Sequence, residues 1–278
     1  MQTLRPSKES KLMAALAEHA TASTAKMLLI SNNGGGKTGS LASLAKAGYN
    51  LRIADTDNGT EILFHLLKDD PAALARVDVE SCIDKYSEQG GALRPTAPLV
   101  GFSKLAKTLT NWPGLGKPST WTSQDILVLD TLTGAGRSIM NHTLSLAGKL
   151  ATGQQPSQPD WGHAMSLQEN LLAGLYSLPC HVIVCAHVVS IQPEGSPTSE
   201  GFPSALGNKL PQKVGSYFNS TLALKFKGVG QAKTRVLLTK DPTLGCKTPA
   251  PGKVKDEYSL ETGLADYFKD LFGPLKGA

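Results

Sequence analysis

The chain has 278 residues, of which 40% are hydrophobic and 18% charged, and a formal net charge of +5. That length suits one large α/β domain with short terminal additions. Its longest apolar runs, such as Val182 to Ala186, are far too short to cross a bilayer, which excludes a membrane-spanning class.

From the start, Lys8 to His19 carries apolar residues at Leu12, Met13, Leu16 and Ala17, the spacing of a short amphipathic helix, so residues 1–25 read as an N-terminal helical segment. No charged start followed by an apolar stretch and a cleavage site precedes Lys26, so no secretion signal is expected. Lys26 to Ile30 predicts a buried strand, a glycine-rich turn follows, and Thr38 to Ala47 predicts a helix ended near Gly48. A second strand, Leu51 to Ala54, runs into Asp55-Thr56-Asp57 and a helix from Thr60 to Leu67. Val77 to Cys82 reads as a strand, Leu99 to Leu109 as a helix, and Ile126 to Leu129 as a buried strand closing on Asp130.

Helices are predicted from Gly134 to Leu150 and from Trp161 to Leu178, with the polar stretch Thr152 to Pro159 between them. His181 to Ala186 is a further apolar strand ending at His187, and Gln192 to Pro203 reads as a long loop. Ser220 to Phe226 and Arg235 to Thr239 predict a late hairpin around Gly228 to Gly230, and Leu260 to Phe272 a last helix. Residues 26–255 form the expected core, and residues 256–278 a C-terminal helical segment packing on it. Strands alternating with helices imply right-handed parallel crossovers, with ligands at the carboxyl ends of the strands.

The most specific signal is Ser31-Asn32-Asn33-Gly34-Gly35-Gly36-Lys37-Thr38, followed by Gly39. It matches the Walker A pattern of a P-loop except that Ser31 stands where the pattern has its first glycine. Phosphates need closely spaced backbone N–H donors, and a helix N-terminus adds a favourable dipole. Lys37 is expected at the β and γ phosphates of ATP, and the Thr38 hydroxyl at Mg2+. Asp130, ending an apolar strand, is the expected Walker B carboxylate beside Thr38. Asp55 and Asp57 share one face at the end of the second strand; one is expected to activate water and the other to cap the next helix, with Asp57 preferred as base. His187 lies at a strand end, where a side chain can sense the γ-phosphate.

The four cysteines, Cys82, Cys180, Cys185 and Cys246, lack CxxC or His-paired spacing, which points to reduced thiols in a cytoplasm and away from zinc. From Lys209 to Lys255 there are ten Lys or Arg against one acid, Asp241, a balance that suits a solvated basic face or a polyanion such as a nucleic acid.

This order of motifs resembles the core of the RecA and RadA recombinases, and in particular the phage-encoded RecA-like ATPases of the Sak-type single-strand annealing group, over Lys26 to Lys247. The resemblance implies a RecA-like fold, a mostly parallel twisted sheet flanked by helices. It also implies self-association into a ring or filament with ATP at the subunit interface. It implies Asp57 as base, with Asp in place of Glu, and His187 as sensor. Thr152 to Pro159 and Ser190 to Gly207 become single-stranded DNA contacts, with Phe202 as a stacking residue or simple packing. Lys240, or Lys247, becomes a cation acting in trans on a neighbour's γ-phosphate. No extra domain for strand exchange is evident. The expected function is a DNA-dependent ATPase supporting annealing or recombination, cytoplasmic in a bacterial host if phage-encoded. The alternatives are an ATP-switched nucleic-acid-binding module with little hydrolysis, and a P-loop small-molecule kinase.

Overall fold

The computed structural model describes residues 23–192, 199–228 and 233–275. In chain order the elements are β1 (Lys26–Ser31), α1 (Lys37–Ser40), α2 (Ala42–Lys46), β2 (Asn50–Asp55), α3 (Glu61–Leu67), α4 (Pro71–Leu74), β3 (Val77–Ser81), β4 (Tyr86–Gln89) and β5 (Ala92–Pro95). They continue with α5 (Gly101–Thr110), β6 (Asp125–Asp130), α6 (Leu132–Leu146), α7 (Gln158–Tyr176), β7 (His181–Ile191), β8 (Glu200–Pro203) and α8 (Leu210–Val214). The last are β9 (Ser220–Lys227), β10 (Thr234–Leu238), β11 (Glu257–Ser259) and α9 (Gly263–Phe272). The expected helix from Lys8 to His19 lies outside the described residues.

One sheet runs in the order β11-β10-β9-β1-β7-β6-β2-β3, with β8 attached to β7. The pairs from β9 to β3 are parallel, while β10 lies antiparallel to both β9 and β11. Alternate strand residues feed opposite faces, as the two-residue side-chain period of a strand requires. Met27, Leu29, Ile53 and Val128 pack beneath α2, α3 and α9, whereas Leu28, Ile30, Leu127 and Leu129 pack against α5 to α8. The result is three layers, helix over sheet over helix, as the α/β reading expects.

Several elements differ from the sequence reading. The helix after the glycine turn is two short pieces, broken at Leu41, where Leu41 N–H bonds the Thr38 carbonyl. The sixth helix starts at Leu132 because Thr131 caps it through Gly134 N–H, and the seventh starts at Gln158 because Ser157 and Asp160 form a capping box. β7 does not stop at His187: it continues to Ile191, held by the antiparallel β8, which occupies the end of what reads as loop. The extension, Val188-Val189-Ser190-Ile191, is largely β-branched, and the polar His187 separates it from the apolar run before it. The β4–β5 hairpin also escapes the sequence reading, its turn glycines Gly90 and Gly91 both adopting positive φ.

Candidate nucleotide-binding site

The carboxyl ends of β1, β2, β6 and β7 meet at one edge of the sheet. Register places them level: Ser31 stands opposite His187, and Asp55 opposite Asp130. Parallel pairing therefore brings together residues far apart in the chain.

The loop from Ser31 to Gly36 curls over the start of α1. Gly36 has φ of 101°, a conformation open to glycine and costly for other residues. A Cβ on Gly35 would stand 2.5 Å from Ser31 Oγ, so that position is closed to any side chain. Ser31 itself is the last residue of β1 and is not among the residues with positive φ, which is why the pattern's first glycine is dispensable here. Its hydroxyl lies 3.1 Å from Lys37 Nζ.

Lys37 is 6% exposed, and burial lowers its pKa, against which the nearby acids Asp130 and Asp57 work. Its Nζ also lies 3.1 Å from His187 Nδ1, and His187 Nε2 lies 3.2 Å from Asp57 Oδ2. P-loop lysine, strand-end histidine and acid thus form one chain of polar contacts. Asp55 is engaged differently. Its Oδ1 accepts from Asp57 N–H at 2.9 Å and Asn58 N–H at 2.8 Å, and its Oδ2 accepts from the Thr60 hydroxyl at 3.2 Å. Asp55 therefore holds the loop ahead of α3, and leaves Asp57 facing the cleft.

Thr38 Oγ1 donates to Asp130 Oδ2 at 2.6 Å. Asp130 Oδ1 is buried with no hydrogen-bond partner among the described residues, and burial pushes the carboxyl above its ordinary range. A buried carboxylate oxygen left unpaired beside a P-loop hydroxyl fits a magnesium ion with its water shell. Thr38 and Asp130 are the residues that would hold it; when bound, magnesium neutralises charge on the β and γ phosphates.

β2 and β6 are fastened at this edge by a reciprocal pair. Thr56 Oγ1 donates to the Thr131 carbonyl at 2.7 Å and accepts from Thr131 N–H at 2.9 Å. Gly134 makes room for it, since a Cβ there would stand 2.5 Å from the Thr56 carbonyl oxygen.

The cleft has a volume of about 580 Å³, within the usual range for a small-ligand site. It is lined by the loop from Gly34 to Gly39 and by Asp57, Asp130 and His187, and then by Lys46, Ile62, Leu66, Arg235, Leu260 and Glu261, which the sequence reading missed. Only α3 carried a hint: Ile62 and Leu66 add a second apolar edge beside Leu63 and Leu67, more than one buried face needs.

Residues 23–245 match the AAA domain family AAA_24. The chain belongs to that family. It is a P-loop NTPase with a RecA-like α/β fold, and an ATP hydrolase by class. No curated protein matches the sequence. Among solved structures it is similar to the flagellar accessory protein FlaH of Methanocaldococcus jannaschii, at 10% identity and a TM-score of 0.44, covering 90% of this chain and 93% of that one. It is similar to a KaiC-like protein of Pyrococcus horikoshii OT3 at 11% identity and a TM-score of 0.40, over 78% of each chain. It is also similar to an ATPase from the type III secretion system of pathogenic bacteria at 11% identity and a TM-score of 0.41, over 72% of this chain and 52% of that one.

Lys240 lies away from the cleft. β10 runs antiparallel to β9, so its far end descends toward the amino ends of the parallel strands, while Arg235 near its start reaches the cleft. Lys240 is exposed and 3.6 Å from Asp256. Lys247 is exposed beside β9, bridged to Thr221. Phe202 is half-buried on β8 opposite Val189. Among the described residues no helix is long and apolar enough to cross a membrane.

Proposed function

We propose that this ATPase works on single-stranded DNA, assembling along it with ATP at the interface between copies and supporting annealing or recombination of the phage Sak type in a bacterial cytoplasm. One observation carries the reading. β7 is a single strand of eleven residues that holds His187 against Lys37 and Asp57 and then runs on, paired with β8, into the stretch from Ser190 to Gly207. A γ-phosphate that takes Lys37 away from His187 acts directly on the strand that leads to the predicted DNA segment. In this scheme Asp57 accepts a proton from the attacking water, and His187 reports the loss of the γ-phosphate on hydrolysis. Lys240, exposed and remote from its own cleft, stabilises transition-state charge in a neighbouring copy.

Phosphate release from ATP, with and without long single-stranded DNA, tests the reading in wild type and Lys37→Ala. DNA stimulation that the substitution abolishes is the expected result. Hydrolysis indifferent to DNA would overturn it in favour of a small-molecule kinase. ATP-dependent DNA binding with negligible turnover would point instead to a switch module.

A further inference from the structure

Beyond the phosphate-binding loop the cleft continues along the outer surface of α1 and α2, with Gly39, Ala42, Ser43 and Lys46 as its floor. One side wall is α3, whose Ile62 and Leu66 are 43% and 45% exposed, while Leu63 and Leu67 of the same helix are buried in the core. The other wall is the turn between β11 and α9, which contributes Leu260 and Glu261.

That turn is a fixed wall. β11 pairs with β10 on one side of it. On the other, α9 buries Leu264, Tyr267 and Phe268 in the same core cluster as α2, and Ala265 N–H bonds Ser43 Oγ at 3.3 Å. Thr262 Oγ1, bonded to Asp266 at 2.6 Å, braces the turn itself. Leu260 sits so near the P-loop that a Cβ on Gly36 would stand 3.1 Å from its Cδ1. Ile62 and Leu66 are exposed and Leu260 is partly buried against the core, and aliphatic side chains lining one cleft beside an anion site are poorly solvated until something apolar and flat covers them. The phosphate end has backbone donors and charged groups, so the polar part of a nucleotide belongs there, and the apolar slot is left for its base.

We infer that the base of the bound nucleotide seats between Ile62 and Leu66 on one side and Leu260 on the other, with Lys46 and Glu261 at the rim. The inference rests on nucleotide binding by this P-loop protein and is independent of the DNA reading. Its consequence is that base recognition comes partly from residues 260 and 261, beyond the family-matched span that ends at residue 245. Aliphatic walls grip any base by its faces, so the slot recognises that a base is present more than which base it is.

Calorimetric titration with magnesium, comparing ATP with inorganic tripolyphosphate and adding no DNA, tests this on wild type, Leu260→Ala and Ile62→Ser. Wild type is expected to bind ATP more tightly than tripolyphosphate. Each substitution should weaken ATP about tenfold, the scale of one buried aliphatic side chain, and leave tripolyphosphate within about twofold. Ile62 is a surface residue, so its variant keeps the test valid should Leu260→Ala disturb folding. ATP affinity unchanged in Ile62→Ser, or tripolyphosphate affinity falling in step with ATP in both variants, would overturn the inference. Because DNA is absent, failure of the DNA reading leaves this result standing.

Discussion

At the carboxyl ends of β1, β2, β6 and β7, Lys37, His187 and Asp57 sit within about hydrogen-bond distance of one another in a line, and Thr38 bonds Asp130 beside them. In the run from Lys209 to Lys255 the cations other than Arg235, which lines the cleft, are instead dispersed over the surface, several already met by acids. Lys225 pairs with Asp241 inside the run, while Lys227 and Lys240 pair with Glu257 and Asp256, which lie just past its end. Ten cations against one acid in sequence are therefore not ten free cations in space. Composition over a window reports charge without its partners, whereas strand-end position reports which side chains converge.

Substitutions at the strand ends should change turnover steeply, whereas those in the basic run away from the cleft should change turnover of isolated copies little. Lys37→Ala should show the largest effect, a loss of about a hundredfold or more in ATP hydrolysis, because it removes a preorganised cation from developing phosphate charge. A phosphate-release assay checks it. Asp57→Asn should lower kcat by about a hundredfold with little change in thermal stability, as expected for a lost general base. Asp55→Ala should instead cost on the order of 1–2 kcal/mol of stability, read as a lower denaturation midpoint, because three donors lose their acceptor. Equal effects of the two aspartates on kcat and on stability would erase the distinction between them.

His187→Ala should reduce turnover about tenfold, comparable with one lost hydrogen bond, and leave ATP affinity nearly unchanged in equilibrium titration. The smallest effect is expected at Lys240. Its pair with Asp256 is 74% and 73% exposed, so Lys240→Ala should shift stability by less than about 1 kcal/mol. The same variant should leave nucleotide binding by isolated copies intact, and should lower hydrolysis only under conditions in which copies assemble, as sedimentation and phosphate release together would show.

The P-loop, the strand ending in Asp130, the strand ending near Asp55 and the apolar core strands are legible in sequence because each is a local pattern: glycines at a turn, an alternating or continuous apolar run, an acid at its end. Other features depend on tertiary contacts. The continuation of β7 beyond His187 is fixed by antiparallel pairing with β8, a partner that the run Val188-Val189-Ser190-Ile191 does not itself name. Two acids on one strand face favour Asp57 only slightly as the cleft-facing acid, and the structure adds that Asp55 turns back toward Asn58 and Thr60.

By itself, then, the sequence determined that this chain binds nucleoside triphosphate phosphates in a parallel α/β sheet, because phosphate binding uses backbone donors whose loop is written contiguously from Ser31 to Thr38. Only the tertiary structure decided what stands across the cleft from that loop. His187, Arg235 and Leu260 reach it through strand register and through α9 closing over α2, contacts between residues more than a hundred positions apart that no local pattern encodes.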